Sequence, residues 1–378
     1  MRCGFGAFCP PPAFFSTFCH SAGEPPVGCY NQTITSPLFY SEVRVIKHSL
    51  RLAPYALSAC GATAILTACG GTSGTLAPAT SPALGARTTH FDRHRGSWIS
   101  PDAKKAKALL YVTDGPDNDA YVYSYPKRKL VGTLTYLNDP NGMCVDAKGD
   151  VFITENYGQQ IVEYAHGGSS PIATLSDPGW QPDGCSVDPA TGNVAVANIV
   201  TTEFTQGSLA IYKKGSNSPT YYSPPGGSPG WFSVNAVGYD DKSNAFFAGS
   251  DGFEGGPNFE AGELPKGSSS SNDITLNESI ANPGQVQWDG KYITYADSNT
   301  GTVYRFTISG GTGTEVGATT VNGCCSGNVW YSWIAGKTLF EAQTGGVVAF
   351  YKYPAGGNAT KTMSLYAADS AVLSIKKK

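Results

Sequence analysis

Short apolar runs, joined in pairs by tight turns, recur through residues 105–378. Five pairs place β-branched or aromatic residues on both sides of a turn containing Gly or Asn: "GMCVDAKGDVFITE", "GCSVDPATGNVAVAN", "FSVNAVGYDDKSNAFFAGS", "GQVQWDGKYITYAD" and "NVWYSWIAGKTLFEAQ". This is the pattern of β-hairpins. A third run such as "QIVEYAHGG" and a weaker fourth such as "PIATLSD" follow each pair. The pattern therefore predicts repeated four-stranded sheets.

The spacing of the repeats predicts the architecture. Gly142 and Gly184 are 42 residues apart, and Gly149 and Gly192 are 43 apart. Repeats of about 40–50 residues with four strands each are typical of propeller blades. We therefore predict an all-β fold, a six-bladed β-propeller of four-stranded blades.

The two ends of the repeat region are expected to meet in one blade. The chain before Pro140 fits the repeat without its first strand, while "SAVLSI" at 370–375 fits a first strand with nothing after it. Pairing these segments removes the exposed strand edges of an open ring. We predict that the C-terminal strand closes the last blade, giving six in all.

The repeated residues P-x-G-x-x-V-D and G-(N/D)-V-(F/A)-(I/V), clearest at 140–153 and 182–196, resemble those of NHL-type propellers. The resemblance covers about residues 105–378 and implies the six-bladed fold. It implies no particular activity, because propellers carry many unrelated functions.

Composition fits this fold and excludes one class of partner. Charged residues make up 15% of the chain, whereas Gly (46) and Tyr (21) are abundant, which suits short strands and turns. The net charge is −3 and no basic stripe is present, so we expect no nucleic-acid partner.

The first 42 residues show no core-forming pattern. They contain several Pro and Phe residues and four cysteines, Cys3, Cys9, Cys19 and Cys29. Two interpretations remain open: a disordered or disulfide-stapled leader, or translation that begins at Val43 or Val45.

Residues 43–69 have the layout of an export signal. Basic residues precede an apolar run that ends in "LTAC", residues 66–69. This ending resembles a bacterial lipobox, which implies lipidation of Cys69. The alternatives are the competing "LSAC" at 57–60 and an ordinary buried apolar segment.

Residues 70–104, rich in Gly, Ser, Thr, Ala and Pro, are predicted to form a flexible tether. We expect a monomer anchored by its lipid alone to the bacterial envelope, periplasmic or at the cell surface.

The propeller cysteines predict a disulfide. Cys144 lies two residues after its glycine and Cys185 one residue after its own, so their side chains leave the two blades on opposite sides. Adjacent blades stack front to back, which brings the sulfurs together. The alternative is two buried thiols. Cys324 and Cys325 either form a vicinal disulfide or stay free, and zinc is not expected.

Repeated Asp and Gly residues are predicted to serve the backbone. Asp146, Asp188 and Asp289 each end an inner strand, where an aspartate accepts hydrogen bonds from its own turn. The alternative is a carboxylate ring. The glycines Gly142, Gly184 and Gly284 would permit close backbone approach near the central axis.

The connections from second to third strands and from fourth to first strands share one face, and they are long and acidic. Loops on a rigid frame commonly carry binding sites. Our candidates are polar or aromatic residues on this face: Asp114, Asn141, Glu155, Asn156, Asp183, Trp231, Asn235, Asp251 and Asp297. Such groups suit a carbohydrate, a peptide, an envelope protein or Ca²⁺. The alternative for each residue is a solvated rim.

Two functions are weighed. The first is a non-catalytic binding module of the cell envelope, with no required cofactor. The second is a metal-dependent lactonase or esterase like the gluconolactonase and strictosidine-synthase-like propellers, with Glu155, Asn156, Asn235 and Asp297 as ligands. Only His166 of the five histidines lies in the propeller, on the opposite face, so a Ser-His-Asp triad is not expected.

Overall fold

A computed structural model of the chain describes residues 96–226, 231–252, 259–323 and 329–376. The predicted leader, the signal with Cys69, the tether up to residue 95 and the pair Cys324 and Cys325 lie outside the described residues.

The described chain is almost entirely β-structure, with a single 3-10 helix at Ala103–Lys105. The first strands are β1 (Trp98–Ile99), β2 (Ala108–Asp114), β3 (Asp119–Ser124), β4 (Leu130–Leu134), β5 (Pro140–Val145), β6 (Val151–Glu155), β7 (Gln160–Tyr164), β8 (Pro171–Ser176), β9 (Trp180–Val187), β10 (Val194–Thr201), β11 (Gln206–Tyr212) and β12 (Thr220–Tyr222). The remaining strands are β13 (Ser233–Tyr239), β14 (Ala245–Ser250), β15 (Phe259–Leu264), β16 (Asn272–Asp273), β17 (Thr275–Leu276), β18 (Pro283–Trp288), β19 (Ile293–Asp297), β20 (Val303–Ser309), β21 (Thr312–Thr319), β22 (Val321–Asn322), β23 (Tyr331–Ala335), β24 (Thr338–Gln343), β25 (Val347–Lys352), β26 (Gly356–Ser364) and β27 (Ala371–Ile375).

These strands form six sheets, which are the six blades of a propeller. Numbered along the chain, blade 1 contains β27, β2, β3 and β4, blade 2 contains β5–β8, and blade 3 contains β9–β12. Blade 4 contains β13–β16, blade 5 contains β18–β21, and blade 6 contains β23–β26. In each blade the first strand named is the inner strand, next to the central axis. The predicted fold class is confirmed.

The predicted ring closure is also confirmed. Strand β27 pairs antiparallel with β2, with Leu110 opposite Leu373 and Val112 opposite Ala371. The last strand of the chain is thus the inner strand of the first blade. This pairing covers the edge of β2, which would otherwise expose unpaired backbone groups.

The core consists of layers between adjacent blades. Leu109 and Tyr111 of β2 pack in a cluster with Met143 and Ile153 of blade 2. Their alternate neighbours, including Leu110, pack in a second cluster against blade 6. Because both faces of β2 are covered, its sequence is a nearly unbroken apolar run rather than an alternating one.

Three short strands depart from the predicted unit. Strand β1 lies in the range predicted as tether, 70–104, but it pairs with β4 at the outer edge of blade 1. Strands β17 and β22 follow the fourth strands of blades 4 and 5, and each pairs in parallel with the outer strand of the next blade. These additions tie neighbouring sheets together at the rim.

The predicted turn role of the repeated aspartates is confirmed. Asp146 Oδ1 accepts hydrogen bonds from the backbone N–H groups of Lys148 and Asp150, both at 2.8 Å. Asp188 and Asp289 accept equivalent bonds from their own turns. These carboxylates therefore stabilise hairpins and do not form a ring.

The predicted disulfide between Cys144 and Cys185 is present, with Cα atoms 5.5 Å apart. Both residues are buried in the layer between blades 2 and 3. No helix in the described part of the chain is long and apolar enough to cross a membrane.

Candidate functional site

The two ends of the propeller differ in their connections. The connections from second to third strands, and those that enter each inner strand, lie at one end, which we call the loop face. The turns between first and second strands and between third and fourth strands lie at the other end, the turn face. Both definitions follow from the antiparallel strand order of the sheets.

Basic residues are segregated to one of these two faces, whereas acids occur on both. The acidic residues of the loop face are Asp114, Asp117, Asp119, Asp139, Glu155, Asp177, Asp183, Glu203, Asp251, Glu278, Asp297 and Asp369. Within the described chain, none of the loop-face connections contains Lys, Arg or His. The described Lys and Arg residues lie at the turn face, except Arg305 and Lys361, which lie within strands. The loop face therefore presents a negative potential.

A cleft of about 290 Å³ opens on the loop face where blades 1, 2, 3 and 6 meet. It brings together three predicted candidates, Asn141, Asn156 and Asp183. The other lining residues are Gly115, Pro116, Asp139, Pro140, Tyr157, Gln181, Ile199, Phe204, Trp330 and Asp369. Acids, amides and aromatic rings thus line the same opening.

Successive inner strands place Asn141, Asp183 and Asn235 at the same level. Each lies five residues before the turn aspartate of its own hairpin, Asp146, Asp188 and Asp240 respectively. Each also lies where the pairing of the inner strand with the second strand shifts register. Such bulges re-aim side chains and are common next to binding sites. The three residues form a polar arc around blades 2, 3 and 4.

Two of the three predicted glycines hold this arc together. A β-carbon on Gly142 would lie 2.3 Å from the carbonyl oxygen of Asp183, and one on Gly184 would lie 2.7 Å from that of Asn235. Adjacent inner strands can therefore approach this closely only with glycine at these positions. Gly284 differs, since its nearest neighbour is Ala296 in its own blade.

Threonine hydroxyls reinforce the same contacts. Thr113 Oγ1 of blade 1 donates to the carbonyl oxygen of Asn141 at 2.8 Å. Thr154 Oγ1 of blade 2 lies 2.6 Å from the carbonyl oxygen of Asp183. The polar arc is thus fixed by bonds from each neighbouring blade, so its side chains start from a preorganised backbone.

Tyr331 joins the arc from the far side of the ring. Its phenol, on the inner strand of blade 6, donates a hydrogen bond to the Asp183 carboxylate of blade 3. Burial and the negative charges of Asp183 and Asp369 raise the pKa of Tyr331 well above its usual range, so the phenol stays protonated. Asp183 is consequently both a lining residue and a structural acceptor.

Two further carboxylates line the cleft, and both lie close to Gly115. Asp369 Oδ2 accepts a hydrogen bond from the Gly115 backbone N–H at 2.6 Å. Asp139 Oδ1 lies 3.3 Å from the place of a β-carbon on the same glycine. Burial raises the pKa of both acids, and the nearby charge of Asp139 raises that of Asp369 further. An additional positive charge at this point would be favourable.

Three predicted candidates have a structural task instead. Asp114, Glu155 and Asp297 end the second strands of blades 1, 2 and 5 and are buried. Each accepts a hydrogen bond from a backbone N–H in the connection entering its own blade, at Ala367, Asn138 and Ala281 respectively. Burial raises the pKa of Asp114 to about 6 and that of Glu155 above its ordinary value. None of the three lines the cleft.

The remaining candidates lie in blade 4, away from the cleft lining. Trp231 is not an exposed ring: it is buried against Phe247 with ring centroids 5.2 Å apart, and its Nε1–H donates to Asp273. The side-chain carbonyl of Asn235 accepts a hydrogen bond from Ser233 Oγ at 2.8 Å. Asp251 begins the connection that follows β14.

Loop-face residues in the left-handed backbone region surround the cleft. They are Asn118, Tyr136, Asp139, Gln159 and Phe204, with φ between 51° and 65°. This region is costly for bulky side chains such as those of Tyr136 and Phe204. The surrounding loops therefore fix the backbone at these two positions.

Of the four residues weighed as ligands of a metal-dependent hydrolase, Asn156 alone lines the cleft. No group of three or more His, Cys, Asp or Glu side chains in the described chain is placed to hold a metal ion. His166 lies at the turn face, as predicted, with Nδ1 2.6 Å from Ser374 Oγ and Nε2 2.9 Å from the Ala106 carbonyl oxygen. It ties blade 2 to the closing strand β27.

Sequence reasoning missed the aromatic part of the cleft. Tyr157, Phe204 and Trp330 line it, and Tyr331 lies next to it. Tyr157 and Phe204 lie in the connections from second to third strands of blades 2 and 3, where the candidates Glu155 and Asn156 are polar. Their position could have indicated a contact site, because an aromatic residue in a polar connection does not pack on the face of a strand.

Comparison with known proteins supports the fold alone. No protein-family model matches the chain, and no curated protein matches it. A structure of a nidogen/laminin complex is similar at TM-score 0.55 and 10% identity, covering 72% of this chain and 99% of that one. A protein of unknown function from Bacteroides caccae is similar at TM-score 0.53 and 10% identity, covering 72% and 100%. Virginiamycin B lyase from Staphylococcus aureus gives TM-score 0.45 and 15% identity, covering 65% and 76%.

Proposed function

We propose that the propeller is a non-catalytic binding module that holds a ligand or protein partner in its loop-face cleft. The observation that carries this proposal is the cleft itself: Asn141, Asn156 and Asp183 line one opening together with Tyr157 and Phe204. Concave sites with a few convergent polar groups and aromatic walls are the usual form of a binding site. The similar nidogen/laminin structure is that of a protein complex.

The lining favours binding over turnover. It contains no histidine, lysine or cysteine, the side chains that most often serve as bases or nucleophiles at neutral pH. Two carboxylates of the alternative hydrolase site, Glu155 and Asp297, accept hydrogen bonds from Gln160 Nε2 and from the Asn299 backbone N–H respectively. We therefore retain the lactonase or esterase function only as the alternative that the following assay tests.

The test uses fluorine NMR on the full chain. A trifluoromethyl-phenylalanine replaces Phe204 at the cleft in one sample and Ile172, an exposed residue of edge strand β8, in the control. Chitin oligosaccharides, CaCl₂, basic peptides and simple lactones are titrated in turn. We expect at least one compound to shift the residue 204 signal saturably, leave the residue 172 signal in place, and be recovered intact.

Two results contradict the proposal. One is a panel that leaves the residue 204 signal unmoved or moves both signals equally. The other is saturable binding accompanied by hydrolysis of the bound compound, which favours the metal-dependent hydrolase.

We further propose that the module is a monomeric envelope lipoprotein related to NHL-type propellers. The support is in the sequence: "LTAC" at 66–69 follows a basic and then apolar segment, and residues rich in Gly, Ser, Thr, Ala and Pro follow it before the propeller. Intact mass of the protein expressed in a bacterium should show a diacylglycerol on Cys69, and Cys69→Ser should abolish it. An unmodified Cys69, or an intact segment before it, contradicts the anchor.

A further inference from the structure

Resting on the binding function proposed above, we infer that the loop-face cleft takes a basic polypeptide segment. A Lys or Arg side chain of that segment enters between the cleft carboxylates, and its neighbours lie across the exposed aromatic rings of the loop face.

The charge of the cleft carries the first step. Asp139, Asp183 and Asp369 line it, and no basic side chain does. Beyond the lining, every described charged residue in the loop-face connections is acidic, while the described Lys and Arg residues lie elsewhere. The acids extend beyond the cleft, because loop-face segments of blades 1, 2, 3, 4 and 5 all contribute them. Complementary charge selects and orients a basic partner.

Exposed aromatic rings carry the second step. Tyr136, Tyr157, Phe204 and Tyr366 are 78%, 68%, 58% and 51% exposed, and all four lie in loop-face connections. Tyrosine is enriched among the residues that carry most of the binding energy at protein interfaces. A Lys or Arg above such a ring gains a cation–π interaction, which an anionic or neutral ligand would not.

The extent of the surface distinguishes a polypeptide from a small amine. The four rings belong to connections of blades 1, 2 and 3 and to the connection from blade 6 into blade 1. A small amine would occupy the cleft but leave these rings uncovered. A chain several residues long can place one cation in the cleft and cover the rings with adjacent side chains.

Preorganisation carries the last step. Tyr136 and Phe204 hold left-handed backbone conformations, and the Asn141 and Asp183 carbonyl oxygens are fixed by threonines from neighbouring blades. A backbone that is already fixed loses little freedom when a partner binds. The surface is thus suited to a flexible segment that orders itself on a rigid site.

The experiment measures peptide binding to the full chain in detergent micelles by fluorescence anisotropy. The probe is a 12-residue peptide with four lysines spaced by Gly and Ser, and its matched control is the same peptide with every lysine acetylated. We expect the acetylated peptide to bind at least about tenfold more weakly, because it has lost its positive charges. Raising NaCl from 50 to 250 mM should weaken the lysine peptide and leave the acetylated one little changed.

Variants locate the binding. Asp139→Asn with Asp369→Asn removes two cleft charges, and we expect about tenfold weaker binding of the lysine peptide. The control is Asp241→Asn, which removes one negative charge at an exposed residue of the turn face. It should leave binding unchanged. Tyr157→Ala with Phe204→Ala should weaken binding by a similar factor, whereas Ile172→Ala should not. Thermal melts of every variant establish that the fold is retained.

The outcomes separate this inference from the proposed function. Equal binding of both peptides, or loss of binding with Asp241→Asn as large as with the cleft variant, overturns the basic-segment inference. If the residue 204 fluorine signal then responds to another compound, the binding function stands without it. If the signal responds to nothing, both fail.

Discussion

Tyr331 and Asp183 hydrogen-bond to each other although they belong to blades 6 and 3, which lie opposite one another in the ring. Both side chains are buried. Contacts between adjacent blades are supplied by the apolar layers, but this bond joins blades that share no layer. It therefore fixes the floor of the loop-face cleft directly across the axis.

Removing the phenol should weaken the fold. We expect Tyr331→Phe to lower the free energy of unfolding by about 1–3 kcal/mol, because a buried carboxylate loses a hydrogen-bond donor. Urea denaturation followed by fluorescence measures this loss. Tyr157→Phe, which removes a phenol from an exposed ring on the same face, should be neutral. Equal stability of the two variants would mean that the cross-ring bond contributes nothing.

The disulfide between Cys144 and Cys185 closes a loop with a sequence separation of 41. Constraining a loop of this size should stabilise the fold by about 4 kcal/mol through the unfolded chain. We expect the double variant Cys144→Ala and Cys185→Ala to lose roughly that amount in chemical denaturation. Wild type unfolded and refolded under reductant should then match the variant. A reductant-treated wild type that keeps full stability would contradict the expectation.

Deleting residues 371–378 should abolish cooperative folding. Strand β27 buries Val372 and Leu373 in the layers on either side of blade 1 and pairs along β2. Each buried aliphatic side chain is worth about 1.5–3 kcal/mol, so the total approaches the stability of a typical domain. Circular dichroism melts would show a broad or absent transition. Removal of Lys377 and Lys378 alone is the control, and an unchanged melt in both would refute ring closure by β27.

Glu341 should make the stability of the fold depend on pH. Its side chain is buried beside Gly301, and burial raises its pKa to about 8. Because the folded pKa lies above the unfolded one of about 4.3, this acid costs nothing below pH 4 but destabilises the fold as pH rises toward 8.

The isosteric change Glu341→Gln should remove that cost. We expect the variant to match wild type near pH 4 and to exceed it by roughly 2–4 kcal/mol at pH 9, measured by denaturation across this range. Glu203→Gln, at an exposed loop-face residue, should leave the pH profile unchanged. A variant profile parallel to that of wild type would show that Glu341 ionises without penalty.

Much of the fold could be predicted because its determinants are local and repeated. Asp146 and Asp188 stabilise their hairpins through hydrogen bonds to backbone groups within five residues of the chain. The local sequence is therefore sufficient to predict these turns. The disulfide followed from side-chain alternation along two equivalent strands. Closure by β27 followed from one surplus strand and one missing strand.

The site was harder to predict because its contacts are not local. Asp114, Glu155 and Asp297 look like ligands in sequence, but each bonds to the connection entering its own blade. Trp231 looks exposed in a loop but packs on Phe247. A repeat unit of one blade does not predict strands β17 and β22, because each pairs with the outer strand of the next blade. These facts depend on which segments become neighbours, and hydrophobic periodicity does not encode that.

Segregated charge makes this small ring an electric dipole aligned with its central axis. A cationic partner diffusing nearby experiences a torque before any contact, so it tends to arrive at the cleft rather than at the lysine-bearing side. Two copies of the chain meeting loop face to loop face repel each other for the same reason. At low ionic strength, this arrangement favours encounters in which a cationic partner reaches the loop face. It also disfavours association of two loop faces.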